Sequence, residues 1–341
     1  MKLFHDNYQN ITNNEPLTLA IGNFDGVHIG HQNIMKMTKK YKDTKSAAMT
    51  FSPHPVSVIT KTVIPTLMDD HDKANFLEKM GMDYFFIINF TPDFSKLSVD
   101  DFINFLKKIN VKRLVIGRDF KFAYRGQGNV TDLEKHFEVD LVEDLLYKNT
   151  RVSTTYIKQL LDQANISLAS KLLNRTYNIH GEVVHGDKVG RLIGFPTANI
   201  DYKNYYLPKV GIYAVKVLID GKMFLGCANL GHNPTLNYSS SKRLEVFIID
   251  YDGDLYQKEI TIYFEHYLRD EVKFDNLDAL IDQIKKDVEE TIQLSKNSLS
   301  YGKIKILGGN LIWKWLLQLF QMMTQTKFKK DLLMKNSFQL D

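Results

Sequence analysis

Residues 17–31 read LTLAIGNFDGVHIGH, and this stretch decides the fold of the first half of the chain. The apolar run from Leu17 to Ile21 predicts a buried strand, and Gly22 ends it. From His31 onward the apolar spacing predicts a helix. A strand, a glycine-rich turn and a helix in succession indicate the first unit of a parallel sheet.

The turn places polar side chains where parallel sheets bind ligands. Helix amino termini meet the carboxyl ends of the strands there, and their free N–H groups and positive dipole end attract phosphate. His28 and His31 are three residues apart, so on a first helical turn both could donate to one phosphate, which suits nucleotidyl transfer. Alternatively, the two histidines only cap a helix and Asp25 only makes the turn. The candidate nucleotide-binding residues of this loop are Gly22, Asn23, Phe24, Asp25 and Gly26.

Apolar runs and helical stretches alternate through the rest of the first half. The apolar runs lie at 47–51, 84–90 and 113–116, and the helical stretches at 69–80 and 99–109. This alternation predicts an α/β domain with a parallel, Rossmann-like sheet over residues 1–170. The segment at 153–173 is expected to be helical and to lead out of it.

The second half is rich in strands. Runs at 213–219, 244–250 and 260–264 are separated by Gly, Asp and Asn turns, which predicts a small antiparallel β-barrel over residues 171–300. A terminal amphipathic helix follows, capped by Asp275 or Asn276. Its expected apolar face consists of Leu277, Leu280, Ile281, Ile284 and Val288.

A second chemical constellation, GEVVHGDKVGRLIGFPTAN, occupies residues 181–199. Its glycines permit close backbone approach to a ligand, and its cations can counter phosphate charge, although a plain hairpin with solvated charges is the alternative. Thr197 and Asn199 are two apart on an extended segment and could offer oxygen ligands to Mg²⁺ on ATP phosphates. The residues assigned to the nucleotide are Gly186, Lys188, Gly190 and Arg191.

Glu245 opens an apolar strand between Leu244 and Val246. Its neighbours should face the core, which turns the carboxylate toward a ligand that has a hydroxyl to orient or deprotonate. An ordinary exposed glutamate is the alternative. The chain has no Gly-x-x-x-x-Gly-Lys-Ser/Thr motif, so phosphoryl transfer here would not use a P-loop.

Motifs in both halves resemble those of one enzyme family. His-Ile-Gly-His at 28–31 resembles the nucleotidylyltransferase signature, and VSTTYIK at 152–158 resembles the second phosphate-binding motif of that superfamily. TFSPHP at 50–55 and GRDFKFAYRGQGN at 117–129 resemble the flavin-handling loops of prokaryotic FAD synthetases. PTAN at 196–199 resembles the metal-binding motif of riboflavin kinases, and the match continues at 207–214, 229–235 and 269–274.

From about Leu17 to about Glu290 the chain is therefore similar to bifunctional riboflavin kinase/FAD synthetase. The resemblance implies that the barrel phosphorylates riboflavin to FMN and the first domain adenylylates FMN to FAD, with ATP as co-substrate and Mg²⁺ as cofactor. It implies catalytic roles for His28, His31 and, as the base, Glu245, and a metal site at Thr197 and Asn199. It adds Ser153, Thr154, Thr155 and Lys158 to the nucleotide site, and His54, Asp119, Phe120, Arg125, Asn129 and Arg269 to the flavin sites. For His54 the alternative is a turn residue fixed between two prolines.

Three positions depart from the family pattern. Lys158 stands where the family usually has Arg, Ala123 where it usually has Gly, and Phe247 where it commonly has His. These departures motivate an alternative in which only one half is catalytic and the other is a flavin-binding module. Because they spare the catalytic and metal candidates, both activities are expected.

The charge and cysteine content of the chain limit the classes of partner and the compartment that we expect. The chain carries a net charge of +4, but residues 301–341 hold seven Lys and two Asp, so the remaining body is close to neutral. This argues against nucleic-acid binding. The lone Cys227 excludes an internal disulfide framework and fits a cytoplasmic enzyme, and no secretory signal is expected at the start.

The tail, 301–341, lies outside the resemblance. It is a poor candidate for a membrane-spanning helix, because its apolar run from Ile306 to Met323 contains Lys314 and amide side chains. The sequence leaves two interpretations of the tail open: a helix that binds a partner or a membrane surface, and a dispensable extension. It also leaves the oligomeric state open.

Overall fold

The computed structural model describes residues 1–186, 194–232 and 242–299, with side chains described as far as 296. Its first half is built on a six-stranded parallel sheet in the order β1-β4-β3-β2-β5-β6. The strands are β1 (Lys2–Asp6), β2 (Leu17–Ile21), β3 (Lys45–Ser52), β4 (Tyr84–Asn89), β5 (Val111–Gly117) and β6 (Glu138–Val142). Strand order reverses between β2 and β5, which is where open parallel sheets form a ligand crevice.

Helices cover both faces of this sheet. They are α1 (Ile29–Thr38), α2 (Pro55–Thr60), α3 (Asp70–Lys79), α4 (Val99–Lys108) and α5 (Val130–Glu134). Because alternate residues of a strand point to opposite faces, β2 serves two cores. Leu19 is buried in the cluster that holds Phe102 of α4. Ala20 is buried in the cluster that holds Met35 of α1. The predicted Rossmann-like layering is confirmed.

The chain leaves this domain through a two-stranded hairpin and two helices. The elements are β7 (Leu146–Tyr147), β8 (Thr150–Arg151), α6 (Thr154–Asp162) and α7 (Ile166–Leu173). The expected helical segment at 153–173 is present as two helices, because Ala164 between them takes a left-handed conformation with φ 57°. Asn165 then starts a new helix, its side chain accepting a hydrogen bond from the Leu168 amide at 3.3 Å.

The second half is a closed antiparallel barrel in the order β10-β13-β12-β11-β14-β9, as predicted. Its strands are β9 (Asn178–Val184), β10 (Thr197–Asp201), β11 (Gly211–Ile219), β12 (Lys222–His232), β13 (Lys242–Ile248) and β14 (Glu259–Arg269). The barrel core is continuous with α6 and α7: Ile157 and Leu172 belong to the same buried cluster as Val215 and Phe264. The connecting helices therefore pack on the barrel.

A terminal helix, α8 (Leu277–Leu299), lies against β11 and β12. Asn276 caps it by accepting a hydrogen bond from the Ala279 amide at 2.8 Å. The expected apolar face is only partly buried, and Leu277 is 54% exposed. Asp287 and Thr291 are instead the most buried side chains of the helix. Polar contacts explain this burial. Asp287 accepts a hydrogen bond from the guanidinium of Arg269 in the barrel, and Thr291 Oγ1 lies 3.3 Å from Cys227 Sγ.

Within the described ranges, none of the helices combines the length and the apolar composition needed to cross a bilayer. The expectations for the tail at 301–341 fall outside the residues that the structure describes.

Candidate active sites

The loop after β2 is held in an unusual backbone conformation. Phe24, Gly26 and Val27 all have left-handed φ values, at 47°, 76° and 41°. A Cβ on Gly26 would lie 2.9 Å from Leu67 Cδ1, so a side chain there would force Leu67 to move. A left-handed β-branched residue such as Val27 is strained and persists only where surrounding contacts hold it. Such strain indicates that the loop does more than connect β2 to α1.

The two histidines lie together at the start of α1. His28 precedes the helix with an extended backbone, and its Nδ1 accepts a hydrogen bond from the His31 amide at 3.3 Å. Only His31 lies in the first helical turn, so the expectation that both histidines occupy it needs correction. Their rings stack with centroids 3.6 Å apart and an interplanar angle of 19°. His28 therefore caps the helix through its Nδ1 atom, as the alternative proposed. Capping does not give a role to its Nε2 atom.

Both imidazoles are neutral near pH 7. Burial lowers the pKa of His28 to about 4, and the charge of Arg151 lowers it further. Burial and the neighbouring His28 keep the pKa of His31 well below its usual range. Because Nδ1 of His28 accepts a hydrogen bond, the proton of the neutral ring is on Nε2. His28 therefore offers one N–H donor without a positive charge.

The second motif begins α6 beside this loop. Ser153 caps the helix by accepting a hydrogen bond from the Tyr156 amide at 3.2 Å. Thr154 Oγ1 donates to the Asp25 carbonyl at 3.0 Å, which ties the helix start to the glycine-rich loop. Thr155 is exposed in the first turn. Two helix amino termini thus converge on the crevice, and helix amino termini attract phosphate.

Lys158 is committed to an internal ion pair. Its Nζ lies 3.4 Å from Oδ2 of the buried Asp25 and donates to the Pro65 carbonyl at 2.5 Å. Oδ1 of Asp25 accepts a hydrogen bond from the Leu67 amide at 2.6 Å. The Lys158 charge therefore stabilises the loop instead of standing free for a phosphate, and Asp25 is more than a turn residue because it joins three segments.

Loops after β3 and β5 bring the flavin candidates to the same edge of the sheet. His54 caps α2, its Nδ1 accepting a hydrogen bond from the Val56 amide at 3.2 Å. Its Nε2 lies 3.3 Å from Asn23 Nδ2. Burial lowers the pKa of His54 below its usual value. It is therefore both a turn residue and a neighbour of the nucleotide loop.

The loop after β5 presents a more open surface. Exposed Asp119 pairs with Arg151 at 3.1 Å, and Phe120 stacks on Phe122 with ring centroids 6.0 Å apart. Arg125 is exposed. Asn129 caps α5 by accepting a hydrogen bond from the Thr131 amide at 2.9 Å, so this candidate already has a structural partner.

In the barrel, the candidate metal and base residues lie on adjacent strands. Asn199 of β10 is directly opposite Glu245 of β13, and Asn229 of β12 is opposite Glu245 on its other side. Leu244 and Val246 are buried in the core, and the Glu245 side chain, 16% exposed, lies 3.5 Å from Arg243 NH1. The Glu245 side chain therefore lies on the face of β13 opposite to the barrel core. Thr197 is on the same face of β10 as Asn199.

These residues fit a divalent cation. Asn199 packs so closely on Gly186 that a Cβ there would lie 2.1 Å from Asn199 Nδ2. The buried Oδ1 atom of Asn229 has no hydrogen-bond partner among the described residues. Hydroxyl and amide oxygens are ligands that Mg²⁺ accepts, and it keeps several waters besides. Lys188, Gly190 and Arg191, also expected at this site, lie outside the described residues.

Comparison with known proteins gives the same division of the chain. Residues 10–156 match the FAD synthetase family model, and residues 173–295 match the riboflavin kinase model. The bifunctional riboflavin kinase/FMN adenylyltransferase of Listeria monocytogenes is 37% identical over 80% of this chain and 90% of its own length. The protein of the same name from Haemophilus influenzae is 39% identical over 80% and 92%. The chain belongs to the bifunctional riboflavin kinase/FMN adenylyltransferase family.

A solved structure shares the two-domain fold. The crystal structure titled as a macrolide-efflux protein from Streptococcus pneumoniae superimposes with a TM-score of 0.76 at 30% identity. It covers 85% of this chain and 98% of that one. The likeness therefore extends over both family domains.

One family position has a structural task in this chain. Arg269, expected to bind flavin, donates from Nε and NH2 to both carboxylate oxygens of Asp287, at 2.9 and 2.7 Å. Its NH1 donates to the Asp270 carbonyl at 3.0 Å. The guanidinium thus joins the barrel to α8. Phe247, where the family commonly has His, packs edge-on against Phe195 with ring centroids 5.3 Å apart.

Sequence reasoning missed residues whose importance depends on register or distant contacts. Asn229 lies in the motif at 229–235. Its polar side chain within an apolar strand was the feature that could have marked it as a site residue. Asp287 interrupts the apolar spacing of α8, which was a weaker signal. Gln32 and Arg175, which contact the glycine-rich loop from behind, gave none.

Proposed function

We propose that this chain makes FAD from riboflavin in two ATP-dependent steps, with one step at each site. The barrel phosphorylates riboflavin to FMN, and the parallel-sheet domain transfers AMP from ATP to FMN. The observation that carries this is the coexistence of two separately assembled sites. One has neutral histidines between two helix amino termini, and the other has a carboxylate between two amides on adjacent strands.

Adenylyl transfer needs donors for developing negative charge. A phosphate oxygen of FMN attacks the α-phosphorus of ATP, a new P–O bond forms, and the bond to the bridging oxygen breaks to release pyrophosphate. We assign to His28 Nε2–H and the amino termini of α1 and α6 the stabilisation of the charged phosphate oxygens. His54, Asp119, Phe120 and Arg125 are assigned to the flavin, since their loops border the same crevice.

Riboflavin phosphorylation needs a base. We assign Glu245 the proton of the riboflavin hydroxyl as its oxygen attacks the γ-phosphorus and ADP departs. Asn199 and Asn229 flank the carboxylate and restrict its position. We propose that Thr197 and Asn199 hold Mg²⁺, which would neutralise charge on the ATP phosphates.

We propose domain limits of 1–170 and 171–300, and the family matches at 10–156 and 173–295 support a division in the region between them. We propose a cytoplasmic location, because the single cysteine, Cys227, fits a reducing compartment.

Chromatography of reactions with riboflavin, ATP and Mg²⁺ tests the assignment. Wild type should produce both FMN and FAD. Glu245→Ala should leave riboflavin unconverted yet still make FAD from supplied FMN, whereas His28→Ala should accumulate FMN. Chelation of the metal should stop the kinase step.

Appearance of only one product from wild type would favour the alternative, in which one half is a flavin-binding module. Appearance of neither would reject the proposal.

A further inference from the structure

The glycine-rich loop of the adenylyl-transfer site is held from behind by three side chains. The carbonyls of Asp25, Gly26 and Val27 are consecutive, and each accepts a hydrogen bond from a different residue. The donors are Thr154 Oγ1 at 3.0 Å, Arg175 NH2 at 3.4 Å and Gln32 Nε2 at 2.8 Å. Since this backbone is left-handed at Gly26 and Val27, these contacts maintain a conformation that the loop would not prefer alone.

One of the three supports, Arg175, comes from outside the adenylyltransferase domain, and a second, Gln32, is itself held from there. Arg175 lies beyond the FAD synthetase match and within the riboflavin kinase match. Gln32 itself is held from the same side: its Nε2 also donates to the Leu173 carbonyl at 3.0 Å, and its Oε1 accepts from Asn174 Nδ2 at 3.1 Å. The start of the kinase half thus reaches the loop directly through Arg175 and indirectly through Gln32.

Packing at the same place reinforces the contact. A Cβ on Gly26 would lie 3.2 Å from Leu173 Cδ2, so the end of α7 closes directly on the loop. The Nε and NH1 atoms of Arg175 are buried and have no hydrogen-bond partner in the described part of the chain. Burying a guanidinium with unsatisfied N–H groups costs free energy. We therefore infer that Arg175 does more than fill space.

Tyrosine and aspartate side chains surround the Arg175 guanidinium. Burial lowers its pKa, while nearby Tyr177, Asp72, Tyr205 and Asp25 oppose that change. Asp25 belongs to the loop and Asp72 to α3, whereas the tyrosines belong to the kinase half. The guanidinium therefore lies in the junction between the two halves of the protein.

We propose that Arg175, contributed by the kinase half, is a positioning residue for adenylyl transfer: through the Gly26 carbonyl it fixes the loop that places His28 and His31. A small displacement of reacting groups costs rate even when the substrate still binds. The kinase site on β10 and β13 does not depend on this contact. The inference rests on the proposed function, and the wild-type rates of the two reactions provide its reference.

The test uses the full chain with Arg175→Ala, Arg175→Gln and Arg175→Lys, and Lys171→Ala as a control at an exposed position on the same helix end. FMN adenylylation and riboflavin phosphorylation are measured separately, with kcat and the KM for ATP, beside the unfolding temperature. Arg175→Ala should lower kcat for adenylylation about 10- to 100-fold, with a smaller change in KM and phosphorylation within about twofold of wild type. Gln and Lys retain an N–H donor and should recover part of kcat.

Two results would overturn the proposal. One is adenylylation by Arg175→Ala within about twofold of wild type. The other is a parallel loss of both reactions with a lower unfolding temperature, which would indicate a general structural role. If Arg175→Ala does not fold, the ratio of the two activities in Arg175→Gln and Arg175→Lys decides in the same way. If wild type itself lacks adenylylation, the proposed function fails, and the positioning role fails with it.

Discussion

Asn199 and Glu245 lie directly opposite each other on the antiparallel strands β10 and β13. Directly opposite side chains on one face of a sheet have Cβ atoms about 5 Å apart, close enough for both to contact one ligand. The two residues are 46 positions apart in the chain, and strand register alone brings them together.

Glu245→Gln should lower riboflavin phosphorylation by about 10²- to 10⁴-fold, because the amide cannot accept the proton of the hydroxyl. FAD formation from supplied FMN should be unchanged. Single-turnover phosphorylation measured by chromatography checks this. Glu259→Gln, on β14 of the same barrel, is the matched control and should retain full activity; a comparable loss there would show that barrel carboxylates act through stability instead.

Arg269→Ala should destabilise the chain by about 3 kcal/mol, because it leaves the buried Asp287 without its ion partner. Urea unfolding measures the change. Lys258→Ala removes an exposed ion pair with Asp220 and should change the free energy of unfolding far less. Equal losses in the two variants would contradict the structural role assigned to Arg269.

His28 should remain neutral well below pH 6. Its pKa in the folded chain is about 4, lower than that of an unperturbed histidine, so the unfolded chain binds more protons between about pH 6.5 and about pH 4. Stability should therefore fall as pH falls through this window. Between about pH 7.5 and about pH 5, wild type should lose about 2 kcal/mol more than His28→Ala in urea unfolding. An identical pH dependence in both proteins would contradict the buried neutral ring.

Ala123→Gly should raise stability by about 1 kcal/mol. Ala123 has φ 63° and ψ −173°, a region that glycine occupies without a Cβ penalty. The gain is reduced because glycine also gains freedom in the unfolded chain. Thermal unfolding checks the prediction, and a loss of stability would show that the Ala123 methyl group contributes packing that exceeds the strain.

Much of the fold could be predicted because local patterns are strong where burial is complete. β2 is buried at all five positions, and the sequence defined its limits correctly. The break between α6 and α7 was missed because the apolar spacing continues across Ala164, and only the left-handed backbone there separates the helices. The face of α8 was misjudged because an ion pair, Arg269 with Asp287, outweighed apolar spacing.

Local patterns were enough to predict the two domain types, the loop that carries His28 and His31, and the strand that carries Glu245, because periodicity and glycine-rich motifs are local properties. Three relationships became visible only in the folded chain: Lys158 pairs with Asp25, Asn229 borders Glu245, and the Gly26 carbonyl accepts a hydrogen bond from Arg175. Those relationships join segments far apart in the chain. They depend on strand register and on how the two halves pack, which no local pattern encodes.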